Sequence, residues 1–581
     1  MPTAPLSLPL FHRHGEGLQA APERRARRPA TLARLGTAAL LAALSACTSL
    51  PPNTGRTQSH ALASPAGTLL ANKVAAITPP QAAARGLDGF RLLADVESAY
   101  GSRLALIDAA QKTLDLQYYS IHYDHSTEEL LQRLKRAAGR GVRVRILIDD
   151  FNAAGTNAEV LRLDEVPGIE VRLFNPVGGP RDSQLLRIAT GSLLDFQRIQ
   201  QRMHNKSFIA DNILAVTGGR NLGDEYFGQG QKSNFLDLDV LVAGSVVTDL
   251  SRNFDAYWNN ELAYPAATLL TKAEREKVGS GDLRRQAHAE AAAADGSARP
   301  GAGDPTVAEG QPAPAAPPVP AADGMARTVP GATDMARQLL DGQLQLVWAP
   351  AVLMADKPTK ISAPDPGDPD DGGDTVVNGL VDLIQGARQD LLIVSPYFVP
   401  GEEMMKAFSG LRARGVRIRV LTNSLASNDA PLAHVGYARY RKALLAMGVD
   451  LYEMQASGDT RRRLLGSAPQ SRSSLHAKTL VMDGRLLVVG TMNLDQRSEL
   501  QNTEAGIVVR SRELSRSLTA YIEETLRHSY RLELRGDTLR WHVPSEDTQH
   551  AEKVLDREPD ASLGLELMLK IIGPFAPDRM L

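Results

Sequence analysis

The chain of 581 residues contains one cysteine, Cys47. An internal disulfide is therefore excluded, and so is a zinc site built on cysteine ligands. It also lacks a charge surplus. The formal net charge is −2, and the first 46 residues carry six arginines (Arg13, Arg24, Arg25, Arg27, Arg28, Arg34) against Glu16 and Glu23, which leaves the remainder at −6. A mildly acidic body lacks the broad basic face that general nucleic-acid binding needs. Apolar runs long enough to cross a bilayer are missing as well: Leu35–Ala46 and Leu563–Ile572 are both too short. What is present is 43% apolar residues over a length that fits two domains plus accessory segments.

The amino terminus has a basic segment, Arg24 to Arg34, then the apolar and small residues Leu35–Ala46, which together form a signal peptide. Leu44-Ser45-Ala46-Cys47 resembles the bacterial lipobox. That resemblance implies cleavage before Cys47 and its lipidation, hence a lipid-anchored, periplasm-facing protein of the bacterial cell envelope. Thr48 resembles outer-membrane sorting signals, with inner or outer residence left open. Residues 47–85 read as a polar tether. Residues 279–334 hold Ala, Pro, Gly and Asp with no aromatic and no Ile, a composition that cannot offset its ordering entropy and reads as a disordered linker. Pro364–Gly373 reads as a shorter flexible loop.

The blocks on either side of the linker, 86–278 and 335–581, repeat one another. The first has a helical segment Ala105–Asp115, an apolar strand Leu116–Ile121, a helix opened by a Ser126-x-x-Glu129 capping box, and the strand Val142–Ile148. The second has a helix Asp382–Asp390, a strand Leu391–Ser395, a helix Met404–Ala413 and a strand Val416–Leu421. Arg-Gly-Val-Arg-Val-Arg recurs as Arg-Gly-Val-Arg-Ile-Arg. Alternating strands and helices predict an α/β fold with a parallel or mixed sheet flanked by helices in each half, and internal duplication is the simplest account.

The chemistry-bearing residues repeat in the same frame. His204, Lys206, Asp211 and Asn221 have the spacing of His476, Lys478, Asp483 and Asn493: two, seven and seventeen residues after the histidine in both copies. On an extended strand, His and Lys at i and i+2 face the same side. A neutral imidazole, with an ordinary pKa near ~6.5, can attack phosphorus, and a protonated one can donate to a leaving oxygen. Two lysines and two asparagines supply cationic and amide donors for the nonbridging oxygens. No metal or cofactor is needed, because the lysine pair acts as the charge clamp. Asp211 and Asp483 fall at turns before the next strand, and Asp483-Gly484 is a hairpin turn pair, so both read as structural members of the motif.

The doubled pattern is the HxKxxxxD signature, and the chain resembles the phospholipase D superfamily across both blocks. The resemblance implies two duplicated phospholipase D-like domains with one active site at their pseudo-twofold interface. It also implies an acidic residue orienting each histidine: Glu504 after the second motif, and Asp237, with Asp239 as the alternative, in the first half. It implies a phosphohistidine intermediate, carried over as His204 for the nucleophile and His476 for the acid, although pseudosymmetry keeps the residues themselves from deciding. Longer words narrow the family. Arg202–Ser207, Gly218–Phe227, Ser395–Gly401, Leu421–Asp429 and Ser473–Lys478 resemble the bacterial cardiolipin synthase C family. The implied reaction passes a phosphatidyl group from phosphatidylethanolamine or phosphatidylglycerol to the glycerol hydroxyl of a second phosphatidylglycerol. The implied partners are these phospholipids and a membrane surface, with no nucleic acid and any helper protein left open. The alternative is a periplasmic phospholipase D yielding phosphatidic acid, followed by a phosphodiesterase nuclease. Three segments are candidate lipid-facing surface: Leu185–Phe196, Arg461–Leu465, and an amphipathic helix over Leu563–Ile572.

Overall fold

A computed structural model describes residues 50–179, 181, 187, 195–279, 332–362, 375–456, 472–544 and 553–572. The described residues form one compact body. The segment expected as a signal peptide, Cys47, nearly all of the expected linker, Pro364–Gly373, Arg461–Leu465, and Leu185, Leu186, Ile188, Leu193 and Leu194 lie outside the described residues.

Each half is built on the same six strands. In the first, Ile169–Phe174, Arg143–Asp149 and Thr113–Tyr118 run parallel, and Ser207–Ala210, Leu214–Gly218 and Asp239–Ala243 continue antiparallel. In the second, Asp450–Met454, Arg417–Asn423 and Asp390–Val394 are the parallel set, followed by Thr479–Met482, Leu486–Gly490 and Ala505–Val509. Order and direction agree strand for strand. Added edge strands extend the sheets to nine and ten strands. The duplicated Arg-Gly-Val-Arg words explain why. Val144, Ile146 and Ile148 alternate into one fully covered core, and Ile418 and Val420 into its counterpart. The arginine between them turns to the opposite face and pairs with carboxylates there: Arg145 with Asp115 at 2.6 Å and Asp255 at 2.8 Å, and Arg419 with Asp390 at 2.9 Å and with Glu523. A third apolar cluster takes side chains from both halves, among them Phe90, Ile209 and Val242 with Leu392, Val489 and Ile507, together with the helices Ser245–Trp258 and Arg512–Arg527. The halves therefore share a core, and each fully buried Leu or Ile in it contributes roughly 1.5–3 kcal/mol.

Several boundaries differ from the sequence reading. The segment expected as a tether is a strap bound to the first half from Leu50 onward. Buried Arg145 and Arg172 leave guanidinium N–H groups that need acceptors, and the strap supplies the Ser59 carbonyl at 2.9 Å and the Thr57 carbonyl at 2.6 Å. It continues into a helix, Leu69–Ile77, that buries Leu70 and Val74. The second domain does not begin at 335. The helix Ala332–Leu340 places Met335 and Leu339 in the first core, and Val347–Ala349 pairs with Asp88–Phe90. The chain crosses at Pro350, and Ala351–Ala355 pairs with Ala505–Val509. The helix after the first parallel strand runs His125–Gly139 and is capped by Asp124 with Thr127, not by Ser126 with Glu129. Ser126 donates instead to Asp224 through its N–H at 2.7 Å and its hydroxyl at 2.6 Å. The preceding helices end earlier than the periodicity suggests, at Ala109 and Gln385, and the following strands start at Thr113 and Asp390. Leu563–Ile572 is helical, with Leu569 buried and Leu567, Met568 and Ile571 exposed. Among the described residues no helix is long and apolar enough to cross a membrane.

Asp211 and Asp483 show what the last letter of each motif does. Both have positive φ, at 49° and 52°, and sit in tight turns with Asn212 and Gly484, which also have positive φ. The Asp211 carboxylate accepts from the N–H groups of Gln111, Lys112 and Thr113 at 2.7–2.9 Å. Asp483 accepts from Arg388, Gln389 and Asp390 at 2.8–3.2 Å. Each fastens its hairpin to the entrance of the first parallel strand, away from the histidines. Asp211→Ala should cost about 2–4 kcal/mol in thermal unfolding, because three backbone donors, Thr113 among them buried, lose a charged acceptor that is itself fully buried. Asp483→Ala, whose partners are exposed, should cost less.

Candidate active site

The His-x-Lys triplets occupy breaks between strands rather than strands. His204 follows the short strand Arg202–Met203, and the sheet strand resumes at Ser207. His476 follows Arg472–Leu475, and its sheet strand resumes at Thr479. Each short strand pairs in parallel with a segment of the other half: Arg202–Met203 with Asn502–Thr503, and Arg472–Leu475 with Ser233–Leu236. The His204 N–H donates to the Thr503 carbonyl at 2.9 Å, and the His476 N–H to the Leu236 carbonyl at 2.8 Å. In both copies the residue after that carbonyl is the acid.

The pairing is therefore crossed. His204 Nδ1 lies 2.9 Å and 3.1 Å from the two oxygens of Glu504, and His476 Nδ1 lies 2.6 Å from Asp237 Oδ2. Chain order, with one acid after each motif, does not reveal this exchange. Asp239, the alternative, is committed elsewhere: its carboxylate binds Arg103 at 2.9 Å and Arg220 at 3.5 Å. A carboxylate only accepts, so each Nδ1 carries the proton and each Nε2 keeps its lone pair.

The lysines fold back beside the histidines. Lys206 Nζ donates to the His204 carbonyl at 2.8 Å, and Lys478 Nζ to the His476 carbonyl. All four side chains are nearly closed off from solvent. Burial pushes the His204 imidazolium down to about 4, Glu504 opposing and the two lysines reinforcing the shift. His476 is lowered by burial and Lys478 against the pull of Asp237. Burial and Lys478 bring Lys206 down to about 7, and burial brings Lys478 to about 8 against the attraction of Asp237 and Asp429. Burial would raise Asp237, but His476 and Lys478 hold it at about 2. The free site thus holds neutral imidazoles on charged carboxylates, with two strained ammonium groups that an incoming anion would relieve.

The asparagines are less symmetric. Asn221 Oδ1 accepts from the Ser120 N–H at 3.2 Å and its amide donates to Tyr226 Oη at 2.9 Å. The Asn493 N–H donates to Ser498 Oγ at 3.2 Å, while its buried Oδ1 has no partner among the described residues. Several contributors have no role in the sequence reading. Thr491 and Ser498 donate to Glu504 at 2.5 Å and 3.0 Å. Gly219, the counterpart of Thr491, leaves space for Asp237: a Cβ there would lie 2.0 Å from Asp237 Oδ1. Tyr119 meets the His204 ring edge-on with centroids 5.2 Å apart, and Tyr226 and Phe235 flank His476 at 5.4 Å and 4.9 Å. The Gly219/Thr491 difference was visible inside the aligned words, but its meaning needed the acid opposite. His122, Asp124 and Glu225 bring potential metal-ligand atoms within 4.8 Å of one another. The His122–Glu225 ion pair and the capping role of Asp124 account for them.

The family model for the cardiolipin synthase, phospholipase D-like domain matches residues 104–258 and 380–526, one match per half. Cardiolipin synthase C of Escherichia coli K12 is 34% identical over 479 residues, covering 81% of this chain and 92% of that protein. An uncharacterized protein of Helicobacter pylori 26695 is 30% identical over 494 residues, covering 84% and 89%. The crystal structure of phosphatidylserine synthase from Haemophilus influenzae shares the fold, with a TM-score of 0.50 over 86% of this chain and 99% of that one at 12% identity. The chain belongs to the phospholipase D-like cardiolipin synthase family.

The close approach at Gly219 gives a direct check on the crossed geometry. Gly219→Ala should push Asp237 off His476 and lower turnover at least ~100-fold. In nitrogen NMR of the imidazoles, His476 should lose its hydrogen-bonded Nδ1 signature while His204 keeps its own.

Proposed function

We propose that this protein is a phosphatidyltransferase that makes cardiolipin. The observation that carries this is the crossed pair of carboxylate-held histidines, closed around two lysines, in a chain 34% identical to a cardiolipin synthase over most of its length. The donor is phosphatidylethanolamine or phosphatidylglycerol. Nε2 of His204 attacks the donor phosphorus as the phosphorus–oxygen bond to the head group breaks, and His476 delivers a proton to the departing alcohol oxygen. The His204 side is given the nucleophile because its imidazole stays neutral down to about pH 4 and Glu504, with three side-chain donors, stabilises the charge that grows on the ring. The entering phosphodiester favours the protonated form of His476 and of both lysines. In the second half-reaction neutral His476 takes the proton from the glycerol hydroxyl of phosphatidylglycerol, whose oxygen displaces His204 from phosphorus. Lys206, Lys478, Asn221 and Asn493 hold the nonbridging oxygens throughout. Asp237 and Glu504 position the rings, and Asp211 and Asp483 hold the scaffold.

The resemblance of Leu44–Cys47 to a lipobox supports placement on the periplasmic side of a bacterial envelope membrane, anchored through Cys47. Blocking lipoprotein signal peptidase should leave the precursor uncleaved, and normal processing would reject the anchor.

Purified protein given mixed phosphatidylethanolamine and phosphatidylglycerol should release ethanolamine or glycerol and form cardiolipin. Phosphatidic acid as sole product would make the enzyme a hydrolase. His204→Ala and His476→Ala should each abolish both outcomes. The lysines also fix a pH profile. Because their conjugate acids are weakened, kcat/KM, which reports the free enzyme, should fall as pH rises through about 7 to 8 rather than near 10. The kcat profile should extend to higher pH, since bound phosphate stabilises the ammonium forms.

A further inference from the structure

The two histidines are 8% and 6% exposed, so a phosphodiester must travel below the protein surface to reach them. A lipid drawn from a bilayer can do so without leaving its acyl chains in water only if the mouth of the site meets the membrane. Two short helices lead into the paired strands beside His204 and Glu504. Phe196–Gln200 leads directly into the strand before His204, and Gln496–Leu500 leads into the strand before Glu504. Those strands are partners across the halves, so the helices are held side by side: Arg497 donates to the Gln200 side chain at 3.0 Å and the Arg202 N–H to the Gln501 carbonyl at 3.3 Å. Each helix exposes one large apolar side chain, Phe196 at 50% and Leu500 at 55%. The contact joining the helices is made by a cation, Arg497, whose guanidinium donates to the neutral Gln200 and to no carboxylate among the described residues. An apolar pair beside an arginine whose hydrogen bonds go to an amide and a backbone carbonyl, with buried Asp495 the nearby carboxyl, is the chemistry of a surface that inserts side chains among lipids while meeting a head-group phosphate.

We propose that the helix pair Phe196–Gln200 and Gln496–Leu500 is the bilayer-contacting lip of the active site, with Phe196 and Leu500 entering an anionic membrane and Arg497 meeting its phosphates. The inference rests on the phosphatidyl-transfer reading for the identity of the surface. The helix Leu563–Ile572, which also exposes apolar side chains, is the competing contact face.

The test uses the full chain carrying Phe196→Trp, Leu500→Trp or Ile571→Trp, mixed with vesicles of phosphatidylglycerol and phosphatidylcholine whose acyl chains are brominated. Emission from positions 196 and 500, taken as the difference from the unsubstituted chain, should be quenched, and that from 571 should not. Phe196→Asp combined with Leu500→Asp should raise KM on vesicles by roughly tenfold or more, from the apolar burial lost. Turnover of monomeric dihexanoyl lipid should stay unchanged. Arg497→Gln should erase the preference for anionic over zwitterionic vesicles. Quenching at 571 in place of 196 and 500, or equal losses on vesicles and monomeric lipid, would overturn the proposal. Failure of the unsubstituted chain to turn over either lipid would instead remove the transfer reading, since quenching is read without turnover.

Discussion

The imidazoles of His204 and His476 are each held by a carboxylate from the opposite half, and the remaining architecture serves that exchange. A histidine whose partner lies about 300 residues away in the chain is oriented only when both halves are folded and docked. The short parallel pairs at Arg202–Met203 and Arg472–Leu475 set the register, backbone hydrogen bonds from the histidines lock it, and the shared core keeps the two sheets from separating. Neither half contains a complete His–acid unit, so catalytic competence and assembly become a single property.

The same closure sets the electrostatics. Removing two ammonium groups from water beside each other is unfavourable, and the cost is kept tolerable by Asp237 and Glu504. It is recovered when an anionic phosphodiester arrives, so binding energy appears where negative charge develops on the nonbridging oxygens. The halves are equivalent in backbone but not in detail. Glu504 receives two hydroxyls besides its histidine, whereas Asp237 packs against Gly219 and accepts the Leu238 N–H at 2.7 Å. In the proposed reaction this difference gives the two copies of one motif their different parts, nucleophile and proton donor.

Much of this was legible in the chain. The paired spacing of His204 and His476 with their lysines and asparagines, and the repeated Arg-Gly-Val-Arg words, announced a duplicated α/β fold, and the strand orders match it. The Asp483-Gly484 turn was readable because that dipeptide has few other uses. What stayed hidden depended on contacts between distant segments. The crossing of the acids has no local signature. The strap at Thr57–Ala61 looked like a tether because its residues are small and polar, and its order comes from the donors of Arg145 and Arg172. Helix starts were placed several residues late because Thr375 and Asp95, which cap the N-termini, lie upstream of the apolar periodicity. The stretch 332–349 follows the linker in sequence yet completes the first sheet, and only pairing with Asp88–Phe90 shows where it belongs.

The central claim is that two half-sites form one site with divided roles. It is tested most directly by quenching the enzyme in alkali during turnover of phosphatidylglycerol and mapping the covalent adduct by mass spectrometry. The account predicts a phosphatidyl group on His204 alone, still formed from a donor with a good leaving group when His476 is replaced by Ala, and absent when His204 is replaced. Comparable labelling of His204 and His476, or turnover with no adduct on either, would contradict it.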